Sequence, residues 1–214
     1  MGNTAELELE SLRRRRVEPD ARRRFFAEGY VQLDGLWSER IAAGISEEAR
    51  DGRRSAELPA GGPRTPVDPS RAPSRQTPVA SGPLLAALHL ELVGLVRALT
   101  GRMLVPTFAG YGYYEGDDEV LLHLDTEASE VVLLNGALGD VGPLHVHPDL
   151  QGMSIEDLGR LESDPEWSAE GGVPVIYPRL GVTALRGQLV PHNRPRRPVR
   201  GLSAVAALHY RSLF

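Results

Sequence analysis

Three side chains in this sequence could hold a redox-active metal. His123 and Asp125 stand two apart in Val120-Leu121-Leu122-His123-Leu124-Asp125, and His192 lies far downstream. On an extended segment, residues i and i+2 point to the same side of a sheet, so the imidazole and the carboxylate share one space. They supply two of the three protein ligands of a non-haem Fe(II) site. A second histidine completes that set and leaves coordination positions open for substrate and oxygen. A plainer reading competes, in which His123 packs in the core and Asp125 caps the turn at Thr126. His145 and His147, in Pro143-Leu144-His145-Val146-His147-Pro148, form another same-face pair. They could serve a cupin-like metal site that displaces His123 or Asp125, or one could line a pocket while the other is structural.

Composition removes other chemistries. No cysteine is present, which excludes disulfides, zinc–thiolate sites, iron–sulfur clusters and thiol nucleophiles. All 24 basic residues are arginine, so Schiff-base chemistry and a phosphate-loop lysine are excluded, and any anion must be held by arginine, histidine or backbone donors. A net charge of −5 argues against a nucleic-acid partner. The sequence shows no apolar run of bilayer-spanning length and no secretory signal, so a soluble cytoplasmic protein with no membrane contact is expected.

The elements that must position the three residues follow from pattern. Residues 4 to 16 read as a short helix, acidic early and basic late; its arginine clusters suit a solvated helix end, or else an anionic partner. A helix stopped by Gly29, a strand at Tyr30 to Leu33, a turn at Asp34-Gly35 and a helix over 38 to 50 come next. Residues 51 to 77 are rich in Pro, Gly, Ser and Arg and read as a long loop, either a lid or a disordered stretch. Leu84, Leu85, Leu88, Leu92, Leu95 and Leu99 recur at helical spacing between a Ser81 cap and Gly101, with His89 structural within that helix. Beyond Gly101, strands are expected over 103–108, 110–115, 119–125, 129–137, 142–147, 173–179, 181–186, 187–192 and 200–210, with a short helix capped by Ser154. The 214 residues fit a single domain: mostly helical support over 1–101, then a β core over 102–214. An antiparallel sandwich or barrel covered on one side by helices is the resulting fold class.

Several stretches together resemble a known family: Phe25 to Leu36, Pro106 to Asp118, His123-Leu124-Asp125, Gly187 to His192, and the small-residue strand after Arg200. Over roughly residues 20 to 211 the chain is similar to the Fe(II)/2-oxoglutarate-dependent oxygenases, within them to the prolyl-hydroxylase and phytanoyl-CoA-dioxygenase-like groups. The resemblance implies a double-stranded β-helix, a jelly-roll barrel of the cupin-like kind, with iron held by His123, Asp125 and His192. It also implies 2-oxoglutarate as cosubstrate, anchored by Arg200 with Ser203, or by Arg197. Arg194, Arg196 and Arg197 are read as a Pro-broken, solvent-facing turn. Asn135 is a further candidate for the cosubstrate's inner carboxylate, or else satisfies backbone groups in the core. Tyr114 or Tyr111 could donate a hydroxyl to the cosubstrate, and Trp167 could cover the substrate. The implied partners are molecular oxygen and a small molecule, free or carrier-bound, hydroxylated at an unactivated carbon. The all-arginine composition suggests a GC-rich bacterial genome, and the resemblance to compact oxygenases of such genomes implies natural-product biosynthesis. The alternatives are a cupin-like metalloenzyme that does not use 2-oxoglutarate and a non-catalytic binding barrel.

Overall fold

Two antiparallel sheets face each other, and the space between them holds the chemistry. In the computed structural model, residues 8–13, 15–55 and 77–213 are described. Residues 8–12 are helical, which is the described part of the helix expected over 4 to 16. Then come α1 (Pro19–Glu28), β1 (Tyr30–Leu33), α2 (Glu39–Ser55), β2 (Thr77–Ala80), α3 (Pro83–Glu91) and α4 (Val93–Thr100). The second half carries β3 (Leu104–Gly116), β4 (Val120–His123), β5 (Val131–Leu138), β6 (Leu144–Val146) and α5 (Ile155–Glu162). It ends with β7 (Val173–Val175), β8 (Val182–Leu185), β9 (His192–Arg194) and β10 (Val199–Ser212).

The large sheet has the strand order β1-β8-β5-β10-β3-β2, and the small one β4-β9-β6-β7. Two apolar layers follow from strand alternation. One face of the large sheet, with Val131, Leu133, Ala206 and Leu208, packs against the helices through Phe25, Ile41, Ile45, Leu88 and Leu95. Its opposite face meets the small sheet through Val132, Leu134, Val205, Leu144 and Val146. Helices on one side and two facing sheets make the jelly-roll expected from the sequence.

Local chemistry explains where elements begin and end. Gly29 closes α1 and Gly101 closes α4, both left-handed, at φ 80° and 72°. Ser154 caps α5, its hydroxyl accepting the Asp157 amide. Ser81 does not cap the leucine-rich helix: that helix starts at Pro83, and the Glu48 carboxylate accepts the amides of Leu84 and Leu85 at 2.7 and 3.0 Å. Tyr111 Oη also donates to Glu48, at 2.8 Å. Glu48→Ala strips two helix-end amides and a buried phenol of their acceptor. It is expected to cost about 2–3 kcal/mol and lower Tm by roughly 5–10 °C. Calorimetry that finds an unchanged Tm would show that water replaces Glu48 without loss.

Several expectations are corrected. Residues 51–55 continue α2 rather than opening a loop; 56–76 lie outside the described residues. The strands expected over 103–108 and 110–115 are one long strand, Leu104–Gly116, and 187–190 form a turn, with β9 starting only at His192. The segment Pro83–Thr100 is long and apolar enough by length and composition to cross a membrane. In this fold it divides at Leu92, and Leu85, Leu88, Leu92, Leu95 and Leu99 are buried in the core.

Candidate metal centre

Register brings the three ligands together. β4 pairs antiparallel with β9, and His123 stands directly opposite His192. Their ring centroids are 4.3 Å apart. Asp125 follows β4, its amide donating to the Gly187 carbonyl at 2.9 Å, which turns its carboxylate back towards the pair. The Asp125 oxygens lie 3.9 Å from Nε2 of His123 and 3.9 Å from Nε2 of His192. One ligand atom from each residue lies within 4.8 Å of the others, and among the described residues no other such metal-binding group of three occurs.

Both imidazoles are oriented by the backbone. His123 Nδ1 pairs with the Leu121 carbonyl at 2.8 Å, and His192 Nδ1 with the Val190 carbonyl at 3.0 Å. A carbonyl can only accept, so each Nδ1 carries the proton and each Nε2 presents a lone pair to the cluster. Burial pushes the His192 imidazole down to about 4, keeping it neutral. Burial also raises the Asp125 carboxyl, opposed by the His123 and His209 imidazoles. Two backbone-oriented imidazoles and a desolvated carboxylate form a donor set that a divalent cation would complete. Gly187 makes room for the Asp125 carboxylate: a Cβ there would lie 1.9 Å from Asp125 Oδ2. The donor set fits Fe(II).

A cavity of about 280 Å³ runs between the sheets past the triad, lined by residues of β3, β4, β5, β8, β9 and β10. Arg194 lies on its wall, two residues beyond His192 and on the same face of β9. It is 1% exposed. Its Nε donates to the Val141 carbonyl at 2.8 Å and Nη1 to the Asp118 carbonyl. The guanidinium lies 4.5 Å over the Tyr114 ring. Nη2 is buried with no hydrogen-bond partner, and among the described residues no carboxylate lies within ion-pair distance. Nη2 is thus a buried charged donor whose hydrogen bond is unmade. Burial raises the Tyr114 phenol to about 12, so it remains a neutral donor.

The other expected site residues are placed as follows. Arg200 and Arg197 are exposed and line no part of the cavity. β10 shifts register between Val199 and Ser203, which frees its first residues from the inward alternation. Ser203 is buried, but its hydroxyl donates to the Asp140 carbonyl at 3.1 Å and does not line the cavity. Asn135 lies on the helix-facing side of β5, its amide donating to the carbonyls of Pro178, Arg179 and Gly181. Those bonds satisfy backbone groups, and Asn135 is not among the residues that line the cavity. Tyr111 lines the cavity with its hydroxyl turned to Glu48. Tyr114 lines the cavity throughout. Arg194 was expected in solvent; the i, i+2 step from His192 is the signal that points to it. His209, Phe108 and Tyr177 also line the cavity, and no sequence feature marks them.

His145 and His147 face away. His145 is opposite Asn193 and Val146 opposite His192 on the small sheet, so the histidine pair occupies the face turned from the cavity. There His147 Nε2 donates to Asn193 Oδ1 at 2.8 Å, and the Trp167 ring lies 6.0 Å from that of His147. Trp167 therefore covers this outer cluster rather than the cavity. His89 donates to the His209 carbonyl at 2.8 Å, consistent with a structural role.

No family model and no curated protein matches the sequence. Solved structures do match the fold. HygX from Streptomyces hygroscopicus, solved with nickel and 2-oxoglutarate bound, aligns with TM-score 0.66 and 16% identity over 92% of this chain and 88% of its own. SnoK, a non-haem α-ketoglutarate-dependent carbocyclase from nogalamycin biosynthesis, aligns with TM-score 0.66 and 18% identity over 91% and 83%. A prolyl hydroxylase from Trichoplax adhaerens, in complex with a peptide fragment, aligns with TM-score 0.62 and 12% identity over 99% and 94%. With its facing antiparallel sheets and helical cover, this chain has the double-stranded β-helix fold of the iron- and 2-oxoglutarate-dependent oxygenases.

Proposed function

We propose that this chain is a single-domain Fe(II)- and 2-oxoglutarate-dependent oxygenase that hydroxylates an unactivated C–H bond of a small molecule. The observation that carries the reading is the converging triad, with both imidazoles locked in the tautomer that offers Nε2 to one point. His123, Asp125 and His192 would hold the iron. A metal held there with 2-oxoglutarate and oxygen would supply the oxidising chemistry needed to break a C–H bond.

The chain's own contributions are positioning and exclusion. The Leu121 and Val190 carbonyls hold the two imidazole planes, and the Gly187 carbonyl holds the Asp125 backbone. Arg194 Nη2 would receive the distal carboxylate of 2-oxoglutarate, replacing Arg200 and Arg197 in that role, and Tyr114 supports the guanidinium from below. Val132, Leu134, Leu144, Val205 and Leu185 keep water from the reacting carbon. HygX, also solved with hygromycin B bound, and SnoK from nogalamycin biosynthesis support a small-molecule substrate in natural-product biosynthesis.

Titrating the anaerobic Fe(II) protein with 2-oxoglutarate tests this. A visible charge-transfer band that saturates with cosubstrate is the expected result. No spectral change, with iron bound, would favour a metalloprotein that uses no 2-oxoglutarate.

A further inference from the structure

The cavity has two ends, and the proposed mechanism uses the chemistry of only one. Phe108, Gly110, Gly112 and Tyr114 face it from alternate positions of β3. At the rise of a strand, Phe108 and Tyr114 are about 20 Å apart. Tyr114 is buried beneath Arg194, whereas Phe108 is 50% exposed. The Phe108 end is therefore the mouth and the Arg194 end is closed.

Directly opposite Phe108, on β10, stands His209, with ring centroids 5.0 Å apart. His209 is held from several sides. Its Nδ1 pairs with the Ser129 hydroxyl at 2.8 Å. Its carbonyl accepts from His89 Nε2 at 2.8 Å and from the Thr107 hydroxyl at 3.0 Å. The register of β10 shifts immediately after it, a device that re-aims a side chain beside a site. With Nδ1 engaged, Nε2 is the nitrogen His209 can present to the cavity it lines. Val132 and Ala207 add apolar wall to the same cavity, and His209 lies close enough to the triad to interact electrostatically with Asp125 and His192. The one arginine on the lining sits at the far end.

We infer that Phe108 and His209 are the substrate-recognition pair and that they take a neutral, ring-bearing molecule carrying a hydroxyl or carbonyl. Its ring lies on the exposed Phe108 surface, and its oxygen hydrogen-bonds to His209 Nε2. An anionic group beside His209 would be desolvated near the Asp125 carboxylate, with no arginine to pair it. The word "substrate" here rests on the oxygenase reading; the pair as a binding site does not.

The test uses 2-naphthol as probe on the Ni(II)-loaded full chain, with and without 2-oxoglutarate, by calorimetric titration. Wild type is expected to bind 2-naphthol saturably and to bind 2-naphthoate about tenfold more weakly. Phe108→Ala should weaken 2-naphthol binding about tenfold, and His209→Leu about fivefold, with His209→Gln recovering part of the loss. Phe108 is half-exposed, so its truncation leaves the core intact and keeps the test readable. Absence of saturable 2-naphthol binding, equal affinity for 2-naphthoate, or unchanged affinity in both variants would overturn the inference. Failure of wild type to bind 2-oxoglutarate, with Phe108-dependent naphthol binding retained, would instead overturn the oxygenase reading and leave this one standing.

Discussion

Arg194→Lys is expected to raise the dissociation constant for 2-oxoglutarate by about 100-fold or more. The guanidinium is buried, spends two of its nitrogens on the Val141 and Asp118 carbonyls, and keeps a third without a partner. A lysine ammonium retains the charge but loses the planar fork, so it cannot hold both carbonyls and still meet a carboxylate. Arg200→Ala should leave cosubstrate affinity within about twofold, because that side chain stands in solvent. Calorimetric titration of the metal-loaded protein reads both. If Arg194→Lys binds 2-oxoglutarate like wild type while Arg200→Ala does not, the anchor belongs to β10 after all. Some stability should also be lost with Arg194, since two buried carbonyls lose their donor, and a thermal melt separates that effect from binding.

Gly187→Ala is the second change with a large expected effect, although Gly187 bears no functional group. An added Cβ would sit 1.9 Å from Asp125 Oδ2 and 2.8 Å from its Cγ. The carboxylate is confined by its own backbone bond to Gly187, so it must rotate away from the two imidazoles. Metal affinity should fall by about 100-fold, and succinate formation with it. Gly187 lies in the turn after β8, outside the paired strands, so the global melt should change less than the metal affinity. A Gly187→Ala protein that binds metal within about threefold of wild type would mean that Asp125 does not need its present rotamer.

The sequence made the triad legible because the rule involved is local. Alternation on a strand puts His123 and Asp125 on one side with no tertiary knowledge, and the distant histidine follows from the chemistry of the donor set. Applied to His192-Asn193-Arg194, the same rule points to Arg194. Pro195 and the arginine run after it suggested a solvated turn, and that composition outweighed the two-residue step. Asn135 shows the limit of alternation. It shares a face with Val131 and Leu133, as the pattern indicates, but whether that face meets helices or cavity depends on which layer covers each side of β5. Ser203 was misplaced because register shifts in β10 are set by its pairing with β3 and β5. Glu48 in place of Ser81 as the cap of α3 is a contact between distant parts of the chain, which no local propensity encodes.

The metal content of single-alanine variants, measured by anaerobic dialysis against Fe(II), tests the central claim most directly. Wild type, His145→Ala and His147→Ala should each retain one ion per chain, and His123→Ala, Asp125→Ala and His192→Ala should retain none. One iron still bound after His192→Ala, or lost after His145→Ala, would contradict the account.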